Sequence, residues 1–162
     1  MRNVVTLFVL ACAFGGVFFS CAGNPEDRKS VSISDLEGRV WQLMEVRDPA
    51  NPIKLDWTTI SQDGMKDFYT LEFLNDGRIA GVGSPNRYFG PYEQGEGNAI
   101  SFGNVASTLM ANIFDPFNLK EHQYFAYLGG VKSWGSDKDG NLELYTQNPQ
   151  GAVTILVYSA VK

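Results

Sequence analysis

The chain has 162 residues, 44% of them apolar and 19% charged, which leaves room for one hydrophobic core and not two. Thirteen Lys and Arg against eighteen Asp and Glu give a net charge of −5, which argues against nucleic acid or anionic headgroups as partners. Aromatics at 13% and 17 glycines favour β-structure with tight turns over a helical bundle, because aromatics suit pleated, half-buried surfaces and glycine weakens helix interiors.

Residues 1–20 are a different material from the rest. One charge, Arg2, precedes an apolar run from Val4 to Phe19, then Ser20-Cys21-Ala22-Gly23-Asn24 and a charged stretch from Glu26 to Lys29. A positive start, an apolar middle and a small-residue exit is the build of a secretory signal. The ending Phe18-Phe19-Ser20-Cys21 resembles a relaxed bacterial lipobox, with Phe18 in place of the usual Leu and Phe19 in place of a small residue. That resemblance implies that Cys21 takes a diacylglyceryl group, with fatty acyl chains such as palmitate, and becomes the first residue of a membrane-anchored lipoprotein of the cell envelope. The alternatives are cleavage by the general signal peptidase after Ala11-Cys12-Ala13, or an uncleaved anchor, since the run is close to the ~20 residues a span needs.

Each buried methylene contributes about 0.8 kcal/mol, and two or more chains hold a protein on a bilayer where one does not. Losing Arg2 takes Lys and Arg from 13 to 12 against 18 acidic residues, so the mature charge is −6. Cys12 leaves with the signal and Cys21 is acylated, which leaves no disulfide and no thiol nucleophile.

Residues 21–34 read as the lipidated N-terminus and a polar linker, and 35–162 as the domain. Arg39 to Val46 is the first strand, with Trp41 its largest core candidate. In Arg47 to Phe68, Pro49 and Pro52 forbid a regular element at the start, while Asp56 caps a short helical turn through Trp57 to Ile60. Tyr69 to Phe73 alternates apolar and polar, turns at Asn75-Asp76-Gly77 and resumes at Arg78 to Ala80, a hairpin. The stretch from Gly81 to Phe102 then carries turn glycines, Pro85-Asn86 and the aromatics Tyr88, Phe89 and Tyr92, and closes with a strand from Asn98. Ser107 to Asn112 is expected to be a short helix, with Ser107 as its cap. Leu119 to Leu128 is a clearer one, with Asn118 as N-cap, Glu121 three places on and Gly129 at its end. Val131 to Trp134, Asn141 to Thr146 and Ala152 to Val161 are strands, the first two joined through Asp139-Gly140.

No constellation of catalytic residues stands out. His122 is the only histidine, so imidazole catalysis would have to use a residue flanked by Glu121 and Gln123 inside a capped helix. One His and no free mature cysteine leave carboxylates alone for zinc, and no metal or other cofactor is expected. The acidic run from Asp137 to Glu143 has its glycine at the fourth place, where a helix-loop-helix calcium loop needs it at the sixth, and reads as a hairpin tip. Gly81-Val-Gly83 lacks the third glycine of a dinucleotide fingerprint. A pair of carboxylates converging in space is selected by nothing in the chain. In strand geometry Tyr88 and Tyr92 share a side with Gly90 while Phe89 points the other way, so one side is core and the other, with Arg87 nearby, is either a stacking platform or the commoner case of scattered exposed aromatics. The candidate binding surface is therefore Asn86, Arg87, Tyr88 and Tyr92.

The block from Gly81 to Tyr92, Ile100-Ser-Phe102-Gly103, Ser107-Thr108-Leu109-Met110-Ala111, and Glu121 with Tyr124 and Leu128 together resemble the META domain family, the HslJ-like proteins. The likeness covers about Leu36 to Val161. It implies a mainly β, α+β fold: one strongly curved, barrel-like antiparallel sheet with one or two short helices. Members often carry a cysteine after Met-Ala and another before the Asn, where this chain has Asn112 and Pro85. The family is linked loosely to envelope stress, antibiotic tolerance and secretion and brings no established catalytic residues, so Asn86 reads first as a turn residue. The expected function is a non-enzymatic envelope module whose partner is another envelope protein. The alternative is a small-barrel carrier of an apolar or aromatic ligand.

Overall fold

The structure is a computed structural model that describes residues 32–60, 65–111 and 115–161. The signal segment, Cys21 and most of the linker lie outside the described residues.

Among the described residues ten antiparallel strands form one sheet. They are β1 (Val40–Arg47), β2 (Ile53–Lys54), β3 (Thr70–Leu74), β4 (Arg78–Val82), β5 (Arg87–Gln94), β6 (Ile100–Phe102), β7 (Ala106–Ser107), β8 (Ser133–Ser136), β9 (Leu142–Gln147) and β10 (Val153–Ala160). The order across the sheet is β6-β5-β4-β3-β1-β10-β9-β8, with β2 beside β1 and β7 beside β5. The outer members of that order meet. Ile100 N–H donates to the Lys132 carbonyl at 3.1 Å and Trp134 N–H to Asn98 at 3.0 Å, across a bridge between Ala99 and Ser133, so the sheet curls into a nearly closed barrel. At the β1–β10 pair the two ends of the domain lie together: Trp41 pairs with Ala160 and Val161 N–H donates to Val40 O at 2.8 Å.

Alternation along the strands explains the curl. Trp41, Leu43 and Val46 of β1 and Leu142 and Leu144 of β9 are buried between more exposed neighbours, while on β10 Leu156, Val157 and Tyr158 are buried in a row. The register of β1 shifts between Leu43 and Glu45, the kind of irregularity that bends a strand. Turn chemistry matches the sequence expectation at both hairpins, since Gly77 (φ 78) and Gly140 (φ 83) occupy the left-handed region. Asp56 accepts from Thr58 N–H at 3.1 Å to cap a 3-10 turn over Trp57–Thr59.

Two helical expectations need correction. Ser107 is not a helix cap but lies in β7, opposite Tyr88, and residues 108–111 are non-helical, because Asn86 and Arg87 hold that chain extended. The long helix, α1, runs Glu121–Gly129, two residues later than expected at its start. Asn118 sits at φ 58 in a preceding 3-10 turn, so Lys120 becomes the N-cap and its N–H donates to Gln123 Oε1 at 3.1 Å. This frees Glu121 from capping. Tyr124, Tyr127 and Leu128 of α1 join the core.

The barrel interior is filled by side chains. Tyr69, Tyr88, Tyr124, Tyr158 and Phe73 are its largest fully buried members, and Tyr124 meets Tyr69 (5.1 Å between ring centres) and Tyr88 (6.0 Å) edge-on. An apolar cargo inside the barrel would have to displace these rings.

Candidate functional site

The loop from β4 to β5 is held by one carboxylate and one carboxamide. Glu121, at the start of α1, accepts from Ser84 N–H and Asn86 N–H at 2.7 Å each through Oε1, and from Asn86 Nδ2 at 2.7 Å through Oε2. Asn86 Oδ1 in turn accepts from the Thr108 hydroxyl at 2.8 Å and Met110 N–H at 2.7 Å, while its Nδ2 also donates to Met110 O at 3.2 Å. Gly83 lies under this knot, where a Cβ would come within 2.6 Å of Glu121 Oε1 and 2.9 Å of the Phe125 ring. Three separate segments thus share one polar centre, and the carboxylate has both oxygens occupied.

The wall beside the loop contains a gap. The β3–β4 ladder pairs Leu74 with Arg78, Phe73 with Ile79 and Glu72 with Ala80, and then opens. Past that point Val82 N–H donates to the Thr70 hydroxyl at 3.1 Å instead of to a main-chain carbonyl. The Thr70 carbonyl is satisfied by tyrosines instead, accepting from Tyr88 at 2.7 Å and Tyr124 at 3.3 Å; Tyr158 donates to Tyr124 at 3.3 Å. Glycine at 81 is obligatory here, because a Cβ would collide with the Thr70 carbonyl oxygen and the Tyr88 hydroxyl. Burial disfavours the phenolates: it raises Tyr88 and Tyr158 well above the usual tyrosine value and pushes Tyr124 up to about 12.

Outside this gap is a cleft of about 510 Å3. Val40, Ala80, Val82 and Phe89 give it an apolar rim, and Asp67, Glu72 and Arg87 add charged groups to its lining. The rim is ordered by register, since Val40 pairs with Glu72, Glu72 with Ala80, Ala80 with Phe89 and Phe89 with Ala106. Phe89 is 54% exposed and Val40 41% exposed. Among the described residues the Arg87 guanidinium makes no ion pair. Leu109 is 98% exposed and Met110 61%, on a chain whose main-chain groups are bonded to Asn86 and Arg87.

The four residues expected to form a binding surface are therefore divided. Asn86 is 5% exposed and saturated, and Tyr88 is buried with its hydroxyl inside, so neither is available to a partner. Tyr92 is half-buried, edge-on to Phe73 with its hydroxyl donating to Glu37 at 3.3 Å. Arg87 alone of the four is exposed. The alternation of Tyr88 and Tyr92 against Phe89 holds, but the exposed aromatic is Phe89, on the opposite side from the tyrosines. The sequence shows which residues share a side and not which side is core, so Phe89 and its neighbours Val40 and Ala80 were not found.

His122 is exposed on α1. Among the described residues no group of three or more His, Cys, Asp or Glu could hold a metal ion, and no helix is long and apolar enough to cross a membrane. Asp137 accepts from Asp139 N–H and Asn141 N–H at 2.9 Å each, closing the hairpin tip with its own chain.

A family model described as META domain matches residues 34–158. An NMR structure of a protein from Burkholderia xenovorans is similar in fold: TM-score 0.60 at 18% identity, covering 87% of this chain and 94% of that one. No curated protein matches the sequence.

Proposed function

The chain belongs to the META domain family, and from that premise we propose that it is a non-enzymatic binding module of the bacterial envelope, exported and held on the membrane through Cys21. Its contact surface is the outer face of β3, β4 and β5, centred on Phe89, and its partner is another envelope protein acting in envelope stress or secretion. The observation that carries this reading is the outward Phe89 beside a cleft of about 510 Å3, with the apolar Leu109 and Met110 on a loop fixed by Asn86. Exposed apolar groups on a pre-ordered backbone suit binding at low entropic cost. The lipoprotein part rests on the sequence of the first 21 residues.

The non-enzymatic part is supported by the way polar groups are used. The Glu121 carboxylate, the Asn86 amide and the Thr108 hydroxyl are bonded to one another and to main chain, which suits a structural knot. The test is a photo-crosslinking residue placed at Phe89 of the full-length protein in intact envelopes. A saturable adduct with one envelope protein, absent when the crosslinker sits at Lys138 on the distant hairpin tip, is the expected result. Equal labelling from both positions would remove the surface assignment.

A further inference from the structure

A second cleft, of about 430 Å3, lies between α1 and the turn that joins β9 to β10. Gln123, Ala126 and Tyr127 line it from the helix, Gln147, Asn148 and Pro149 from the turn, and His122 completes the rim. We propose that this cleft binds a small neutral carbohydrate.

Its chemistry sets it apart from the other clefts described. The one beside Phe89 contains Asp67, Glu72 and Arg87, and one of about 200 Å3 near the β5–β6 turn contains Glu93 and Lys132. The α1 cleft contains no carboxylate, ammonium or guanidinium, in a chain that is 19% charged. Three carboxamides, Gln123, Gln147 and Asn148, instead line it without net charge, and of these Gln147 carries both a donor and an acceptor. The Gln123 oxygen already accepts from Lys120 N–H, which leaves its NH2 to donate. The Ala126 methyl, the Pro149 ring and Tyr127 give apolar surface between these amides. Alternating hydroxyls and C–H faces on a pyranose match that mixture, and the carboxylate behind it, Asp48, is buried and bonded to Tyr127 and Asn148. The volume falls within the ~300–1,000 Å3 range of small-molecule sites.

The floor is set before any ligand arrives. Tyr127 donates its hydroxyl to Asp48 Oδ2 at 2.8 Å, and Asn148 Nδ2 donates to Asp48 Oδ1 at 2.9 Å. Asn148 Oδ1 accepts from Gln150 N–H at 3.1 Å and Ala152 N–H at 2.8 Å, which fixes the turn. The Thr146 hydroxyl donates to Tyr127 O at 2.7 Å and ties the helix to β9. Only Gln123, Gln147 and His122, half-buried or exposed at the rim, remain to be ordered on binding, so the entropic cost is small.

The experiment is a titration of the full-length protein in detergent with N,N′-diacetylchitobiose and with maltose as neutral probes, and with glucosamine and glucuronate as charged ones, followed by calorimetry and by NMR of the side-chain amides. Saturable binding of a neutral probe is expected, with shifts at Gln123 and Gln147. Gln147→Ala weakens that binding about tenfold, as loss of a paired hydrogen bond does. Ala126→Trp, at an exposed helix position, abolishes it while the thermal midpoint stays near that of the parent. Failure of both neutral probes to saturate, preference for a charged probe, or binding that survives both substitutions in a folded protein overturns the proposal. The crosslinking result at Phe89 is unaffected by any of these outcomes.

Discussion

The Asn86 side chain bonds to four groups in two other segments: Glu121 on α1, and on the 108–110 chain the Thr108 hydroxyl and both main-chain groups of Met110. Asn86→Ala leaves the Glu121 carboxylate and the Met110 amide short of partners, and is expected to lower stability by about 2–4 kcal/mol, measured by urea unfolding. Sequence reading recognised Asn86 as a turn residue and missed its reach, because partners 22 to 35 positions away leave no local signature. Asp48 offers a second test. Burial pushes its carboxyl up, but the Ala50 and Asn51 amides, the Asn148 carboxamide and the Tyr127 hydroxyl together outweigh that and hold it below the ordinary value of 3.8. A carboxyl held below its unfolded value contributes stability that is complete above 3.8 and is lost as pH falls through the folded value. Asp48→Asn is therefore expected to lose less stability than the parent on acidification from pH about 5 to about 2, checked by urea midpoints across that window.

At the scale of elements, the inner tyrosines join α1 to β3, β5 and β10: the Tyr88 and Tyr124 hydroxyls meet at the Thr70 carbonyl, and the Tyr158 hydroxyl donates to Tyr124. Raised values mean the folded state resists ionisation. The stability these groups contribute is whole below pH about 10 and is lost as pH rises through the folded values, about 12 for Tyr124 and well above the ordinary tyrosine value for Tyr88 and Tyr158. Alkaline titration is expected to show their phenolate absorbance appearing together with loss of near-ultraviolet circular dichroism, and Tyr124→Phe to shift that transition. A gradual rise with structure intact would contradict it. Strands and hairpins were readable because alternation and Asp-Gly turns are local. The α1 start was not, because Asn118 has the composition of a cap and the left-handed φ of a turn. The expected helix at Ser107 failed for a non-local reason: the main chain at Thr108 and Met110 bonds to Arg87 and Asn86 and is drawn out beside β5.

For the whole molecule, the curved antiparallel sheet and the META family were within reach of the sequence, since both rest on ordered motifs spread along the chain. Closure of the barrel between residues 98–100 and 132–134 was not, because nothing in either segment names the other. The proposed anchor is tested by the mass of the mature protein, which is expected to begin at Cys21 and to carry fatty acyl chains, and by Cys21→Ser, which is expected to remove them. A mature chain with Cys21 unmodified would detach the domain from the membrane reading. The adjacency of Val40 and Val161 has a consequence of its own. A ring of strands whose ends touch has no privileged starting point. A circular permutant opened between Asp139 and Gly140, with Lys162 joined to Ser32 by a short Gly/Ser linker, is expected to retain every strand neighbour and to denature in a single cooperative step.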